Sequence, residues 1–137
     1  MGFNLRDADA SVKKTRALPN GAATVVSEGI ALGHGSRGDH LADVELEITA
    51  PAVDVNDLAN GATMTYDVYH DTAADFGSEA LLLDNVVTQT GAGGAGAAAQ
   101  TKAVRLPVDV NRYVRVKVTN SGVGDASDKT ATIRLKF

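Results

Sequence analysis

Four stretches of this chain alternate apolar and polar residues with a period of two. In residues 41–50, Val44, Leu46, Ile48 and Ala50 interleave with Asp43, Glu45, Glu47 and Thr49. In residues 62–70, Met64, Tyr66 and Val68 face Thr63, Thr65, Asp67 and Tyr69; in 112–119, Val114, Val116 and Val118 face Arg115 and Lys117. Residues 131–137 repeat the pattern with Ala131, Ile133, Leu135 and Phe137 against Thr132, Arg134 and Lys136. Successive side chains of a strand point to opposite faces, so each stretch is predicted to bury one face and wet the other, as antiparallel sheets do. Further strands are expected at 22–27, 80–90 and 102–108. The segments between them are turn-rich, and no long helix is expected. An all-β antiparallel sandwich or barrel follows.

Composition sharpens that expectation. Of the apolar residues 22 are Ala and 16 are Val, and Trp and Cys are absent. The core is therefore lean and β-branched. Asp outnumbers Glu 13 to 4, which suits turns better than helices. The 137 residues suffice for one core. We expect an extended N-terminal arm over residues 1–20 and a single sandwich domain over 21–137. Residues 91–100, GAGGAGAAAQ, are expected to form a long flexible Gly/Ala loop.

Several function classes have nothing to stand on. Without Cys there is no disulfide framework, thiolate metal site or Cys nucleophile. No apolar run approaches the roughly 18 residues of a membrane span, and the first 16 residues lack a signal-peptide core. A net charge of −4 argues against general nucleic-acid binding. His34, Asp39 and His40 share a loop, and His70-Asp71 end a strand, but scattered His and Asp residues produce such pairs by chance; no metal site is expected. Asp54-Val55-Asn56-Asp57 departs from a calcium loop at Leu58, so a turn-initiating Asp with one helical turn over 54–59 is the better account. Arg37-Gly38-Asp39 is an integrin-type tripeptide, too short to carry a function alone. The six serines include no G-x-S-x-G elbow, and the glycine run has no P-loop Lys. No catalytic residue and no cofactor is expected, and the chain does not read as an enzyme.

Four local patterns occur in a fixed order. A basic arm leads to Leu18-Pro19; Asp57-Leu58-Ala59-Asn60-Gly61-Ala62-Thr63-Met64-Thr65-Tyr66 enters a Thr-rich strand; Thr88-Gln89-Thr90-Gly91-Ala92-Gly93-Gly94-Ala95-Gly96 leads to Val104-Arg105-Leu106-Pro107; and Arg112-Tyr113-Val114-Arg115-Val116 precedes the Gly122 loop and Thr130-Ala131-Thr132-Ile133. In this order the chain resembles the head decoration, or cement, proteins of tailed bacteriophages. The resemblance implies a jelly-roll-like sandwich on the outer surface of an assembled capsid, bridging neighbouring major capsid subunits after assembly in the host cytoplasm. It implies the major capsid protein as partner, self-association as a dimer or trimer, and no nucleic acid or membrane. Contacts to the shell or to a neighbouring copy are expected from Arg6, Lys13, Lys14 and Arg16 in the arm, and from Gly91, Gly93, Gly94, Gly96, Gln100 and Lys102 in and beside the loop. Competing expectations are a virion-surface module binding host glycan or receptor, and a small tail or baseplate sandwich.

Overall fold

The computed structural model describes residues 13–32, 45–107 and 109–136. Nine strands run in chain order: β1 (Lys13–Ala17), β2 (Thr24–Val26), β3 (Ile30–Ala31), β4 (Glu45–Ala50), β5 (Thr63–Asp71), β6 (Ala80–Thr90), β7 (Gln100–Arg105), β8 (Tyr113–Asn120) and β9 (Thr130–Lys136). There is no helix among the described residues. One sheet has the order β1-β9-β4-β7; the other is β2-β8-β5-β6, with β3 also on β8. Every ladder is antiparallel, and the two sheets pack as a sandwich.

The alternating stretches supply the facing layers. Leu46, Ile48, Ala131, Ile133 and Leu135 of one sheet meet Met64, Tyr66, Val68, Val114, Val116 and Val118 of the other, all buried. Full burial of such aliphatic side chains is worth about 1.5–3 kcal/mol each. Leu18, Val53, Leu58, Leu106, Val110 and Ala126 plug the core from the connections.

Two expectations need correcting. In place of an arm running to residue 20, Lys13–Ala17 is an edge strand paired with β9 from Lys13↔Arg134 to Ala17↔Thr130, and Leu18 is buried. An edge strand needs ladder bonds on one side only, so a basic segment without hydrophobic alternation can still fill the place. The Gly/Ala loop, expected to be flexible, is locked. Ala97 and Val53 exchange both backbone bonds (3.0 and 2.9 Å), Gly61 N–H donates to Gly91 O, and Gly91 N–H donates to Ala62 O. Asn60 Oδ1 accepts from Gly94 N–H at 2.9 Å.

At the other end, β6 carries register shifts against β5 between Tyr66 and Val68 and again before Tyr69. Asn85 takes the left-handed φ of 51° there, and its N–H donates to Asp67 Oδ1 at 2.7 Å. The expected helical turn is present: Leu58 N–H reaches Asp54 O at 2.9 Å, and Asp54 Oδ1 accepts from Asn56 and Asp57 N–H.

The Tyr66 phenol is buried in the core, and no described group bonds its hydroxyl. Burial pushes its pKa above the ordinary value of 10. A buried hydroxyl without a partner is destabilising, so Tyr66→Phe should raise stability by about 1 kcal/mol at neutral pH. Above pH 10 the unfolded chain loses this proton while the folded chain keeps it. Stability present below pH 10 therefore declines as pH rises, by up to about 1.4 kcal/mol per unit from this group. The urea-melt stability of wild type minus that of the Tyr66→Phe variant should become more negative between pH 9 and 11; a pH-independent difference would refute the assignment.

Candidate docking surface

The outward face of the β1-β9-β4-β7 sheet is built by register. Glu45, Glu47 and Thr49 alternate with buried neighbours on β4, as do Thr132, Arg134 and Lys136 on β9. Cross-strand pairing then arranges these positions in rows. Lys13, Arg134, Glu47 and Ala103 form one; Thr15, Thr132, Thr49 and Thr101 form a second across all four strands; Lys136, Glu45 and Arg105 form a third. The threonine row is short, β-branched and uncharged, so the middle of the face presents short, stiff side chains.

Charge on this sheet runs against the charge of the chain. β1 contributes Lys13, Lys14 and Arg16, β9 Arg134 and Lys136, and β7 Lys102 and Arg105, against only Glu45 and Glu47 from β4. Meanwhile Asp54, Asp57, Asp125 and Asp128 lie in the connections at the Gly/Ala-loop end. Burial raises the Glu47 carboxyl pKa, but hydrogen bonds from Arg134 (2.8 Å) and Lys136 (3.4 Å) outweigh it and hold the value below the usual range. Those two cations are thereby occupied. Lys14 turns to Glu28 at 3.7 Å. Lys13, Arg16, Lys102 and Arg105 are exposed and form no ion pair with a described residue.

The expected contact residues separate accordingly. Lys13 and Arg16 lie on one edge strand of this sheet and Lys102 on the opposite edge, although nearly ninety residues lie between them in sequence; of the three only Lys13 shares the outward face, because Arg16 pairs with buried Ala131 and Lys102 with buried Ile48. Lys14 flanks the first rim. Gln100 is used internally, its Nε2 donating to Thr88 O across to the other sheet at 3.0 Å. Gly91 and Gly96 are buried against backbone and offer no contact surface; Gly93 and Gly94 stay exposed at the loop tip. Arg6 lies outside the described residues, as do His34, Arg37-Gly38-Asp39 and His40.

The opposite sheet carries a second threonine row, Thr24, Thr119, Thr65 and Thr88, with Thr24 and Thr119 hydroxyls 2.9 Å apart. Beside it, residues 72–79 fold back over the strands. Phe76, at φ 54°, lies under the Arg115 guanidinium (4.3 Å) and edge-on to Tyr113; Lys117 sits 4.2 Å over Tyr69. Glu79 binds both Arg115 and Lys117, and these bonds overcome burial to keep its carboxyl pKa low. Read from sequence alone, 71–79 is only a polar connection, and Phe76 escapes notice. The facing Gly29 is the available signal, since a Cβ there would sit 2.5 Å from the ring. His70 Nδ1 accepts from Asn111 N–H, and Asp71 accepts from Ala73 and Ser78 N–H, so both serve loop geometry. No group of three or more metal-ligating side chains converges among the described residues.

No family model matches the chain, and no curated protein matches it. Among solved structures, it is similar to a chain in the structure of infectious bursal disease virus, Gt strain. That similarity has a TM-score of 0.37 and 10% identity, covering 90% of this chain and 27% of that one. The chain thus spans about a quarter of the length of the viral chain.

Proposed function

We propose that this chain is a structural, non-enzymatic virion protein that binds the outer surface of an assembled phage capsid and bridges neighbouring major capsid subunits. The observation that carries the reading is the strand order. With β2 and β3 counted as one interrupted strand, the sheets run first-eighth-third-sixth and second-seventh-fourth-fifth. That order matches the double Greek key of a jelly roll, an architecture that recurs in viral capsid proteins. Fold alone does not fix function. The sequence resemblance to decoration proteins supplies the specific role, and an outward sheet face with Lys13 and Arg105 exposed at its edges supplies a surface for it.

A protein that binds only the assembled shell stabilises that state by mass action. Many copies at repeated sites make the effect collective. The full chain, added to heads of its own phage from which it has been stripped, should co-sediment with them and raise their thermal disruption temperature. Cryo-electron microscopy should then place its density outside the shell. Heads that sediment free of the chain would refute the reading.

A further inference from the structure

We propose that the Gly/Ala-loop end of the sandwich is a second docking surface, occupied by a protein surface that presents cationic side chains around an apolar hollow for Val123. The inference deepens the decoration reading, since a chain that bridges neighbours needs two contacts. It rests on that reading only for the identity of the partner, which is then the capsid subunit. Four connections meet at this end: residues 18–23, 51–62, 91–99 and 121–129. Their backbones hold one another. Asp125 N–H donates to Asn56 O at 3.0 Å, and Gly21 N–H donates to Gly124 O at 2.8 Å. A Cβ on Gly124 would sit 2.4 Å from Asp57 O, and one on Gly91 would sit 2.2 Å from Ala59 O. The surface is therefore formed before a partner arrives, and docking has little backbone left to order.

Every exposed residue of the four connections is Ala, Gly, Val, Ser, Asn or Asp. Such short side chains lose little rotamer freedom on contact. Three large apolar side chains are exposed among the described residues, and two of them, Val55 and Val123, lie here, Val123 at 85%. A lone exposed apolar residue is ordinary. These two stand on connections that touch, because the turn carrying Val123 rests on the backbone of Asn56 and Asp57. Charge at this end has one sign. Asp54, Asp125 and Asp128 are exposed, while Lys129, the one cation of the four connections, is shared between buried Asp57 and Asp128, both at 3.2 Å. Hydrogen bonds from the Ser127 hydroxyl and N–H hold the Asp125 carboxyl below its ordinary range, so it stays ionised. The nearest strand cations, Arg16 and Lys102, belong to the edge strands at the two sides of the first sheet. Carboxylates drawn out of water need opposite charge beside them, so the occupant has to bring its own cations. Its hollow takes the Val123 side chain out of water.

The variants are Val123→Ser and Asp128→Asn, each made in the full chain. Both side chains are exposed, so the thermal melts should match wild type. On stripped heads, Val123→Ser should bind about 10-fold more weakly at every salt concentration. Asp128→Asn should bind roughly 3-fold more weakly, with a flatter dependence on NaCl than wild type. Wild-type occupancy by both variants would overturn the proposal. So would self-association of wild type that Val123→Ser abolishes while head binding is unchanged, because the occupant would then be another copy of this chain. If wild type itself does not bind heads, the decoration reading fails by itself, and the end is judged on its chemistry. Amide resonances of the isotope-labelled chain are then followed as a soluble lysine–leucine copolymer is added. Shifts gathered at residues 54–56 and 121–128, and reduced in Val123→Ser, support the proposal; shifts centred elsewhere overturn it.

Discussion

Gly96→Ala should lower the unfolding free energy by about 4 kcal/mol, near the upper end for a single substitution, whereas Gly94→Ala, two residues earlier, should lower it by only about 1 kcal/mol. Both glycines take left-handed φ values, 68° and 72°. An L side chain is therefore disfavoured at each, and that shared cost is all Gly94 should feel, because a Cβ there meets nothing within 4 Å. At Gly96 the Cβ would lie 2.0 Å from Val53 O and 2.5 Å from the Asp54 carbonyl carbon. Those are backbone atoms fixed by the Val53–Ala97 bridge, and they cannot rotate away. Gly91 is constrained in the same way, since a Cβ there would lie 2.2 Å from Ala59 O. Urea denaturation of the Gly96 and Gly94 variants, with unchanged slope, checks the difference. Equal small losses would mean that the loop is not clamped.

Much of the fold was legible because its signals are periodic. The alternations on β4, β5, β8 and β9 predicted both the strands and their buried faces, and the 80–90 strand coincides with β6. What stayed hidden has a common physical cause. β1 is an edge strand, so its sequence, KKTRA, answers to one neighbour and to solvent rather than to a core. The Gly/Ala loop is held by backbone hydrogen bonds and close approaches of Cα atoms to carbonyls. Composition records that glycine is present but not what lies beside it. The two edges of the first sheet are β1 and β7, and only strand order brings them onto one sheet. The basic residues were visible as candidates; the sheet they share was not.

Asp57→Ala should be nearly as damaging, at about 3 kcal/mol. Asp57 is only 3% exposed. Its Oδ2 accepts from Asp54 N–H at 2.9 Å and pairs with Lys129 Nζ at 3.2 Å, while its backbone oxygen accepts from Asn120 Nδ2 at 3.2 Å. One side chain thus closes its own turn and ties the connection before β5 to the one before β9. Alanine removes the acceptor from the turn and leaves Lys129 with Asp128 alone. Asp57→Asn keeps an oxygen for the Asp54 N–H and should lose about half as much. The pair of variants, compared by urea melts at pH 7, separates the hydrogen bond from the ion pair. A wild-type melt for Asp57→Ala would remove Asp57 from any role in holding the two connections together.

The uneven placement of charge gives the molecule a direction. A body with seven cations on one sheet and exposed carboxylates at one end experiences a torque as well as a pull near a charged surface. At physiological salt that torque acts only within about 8 Å of contact. Long-range capture therefore owes little to it, but the last part of each encounter does. Wrongly turned arrivals rotate or leave before side chains interlock, and productive encounters become a larger share of collisions. Under the proposed function, in which many identical copies seat in one orientation, such late sorting would act on each arrival separately, without requiring a neighbour already in place.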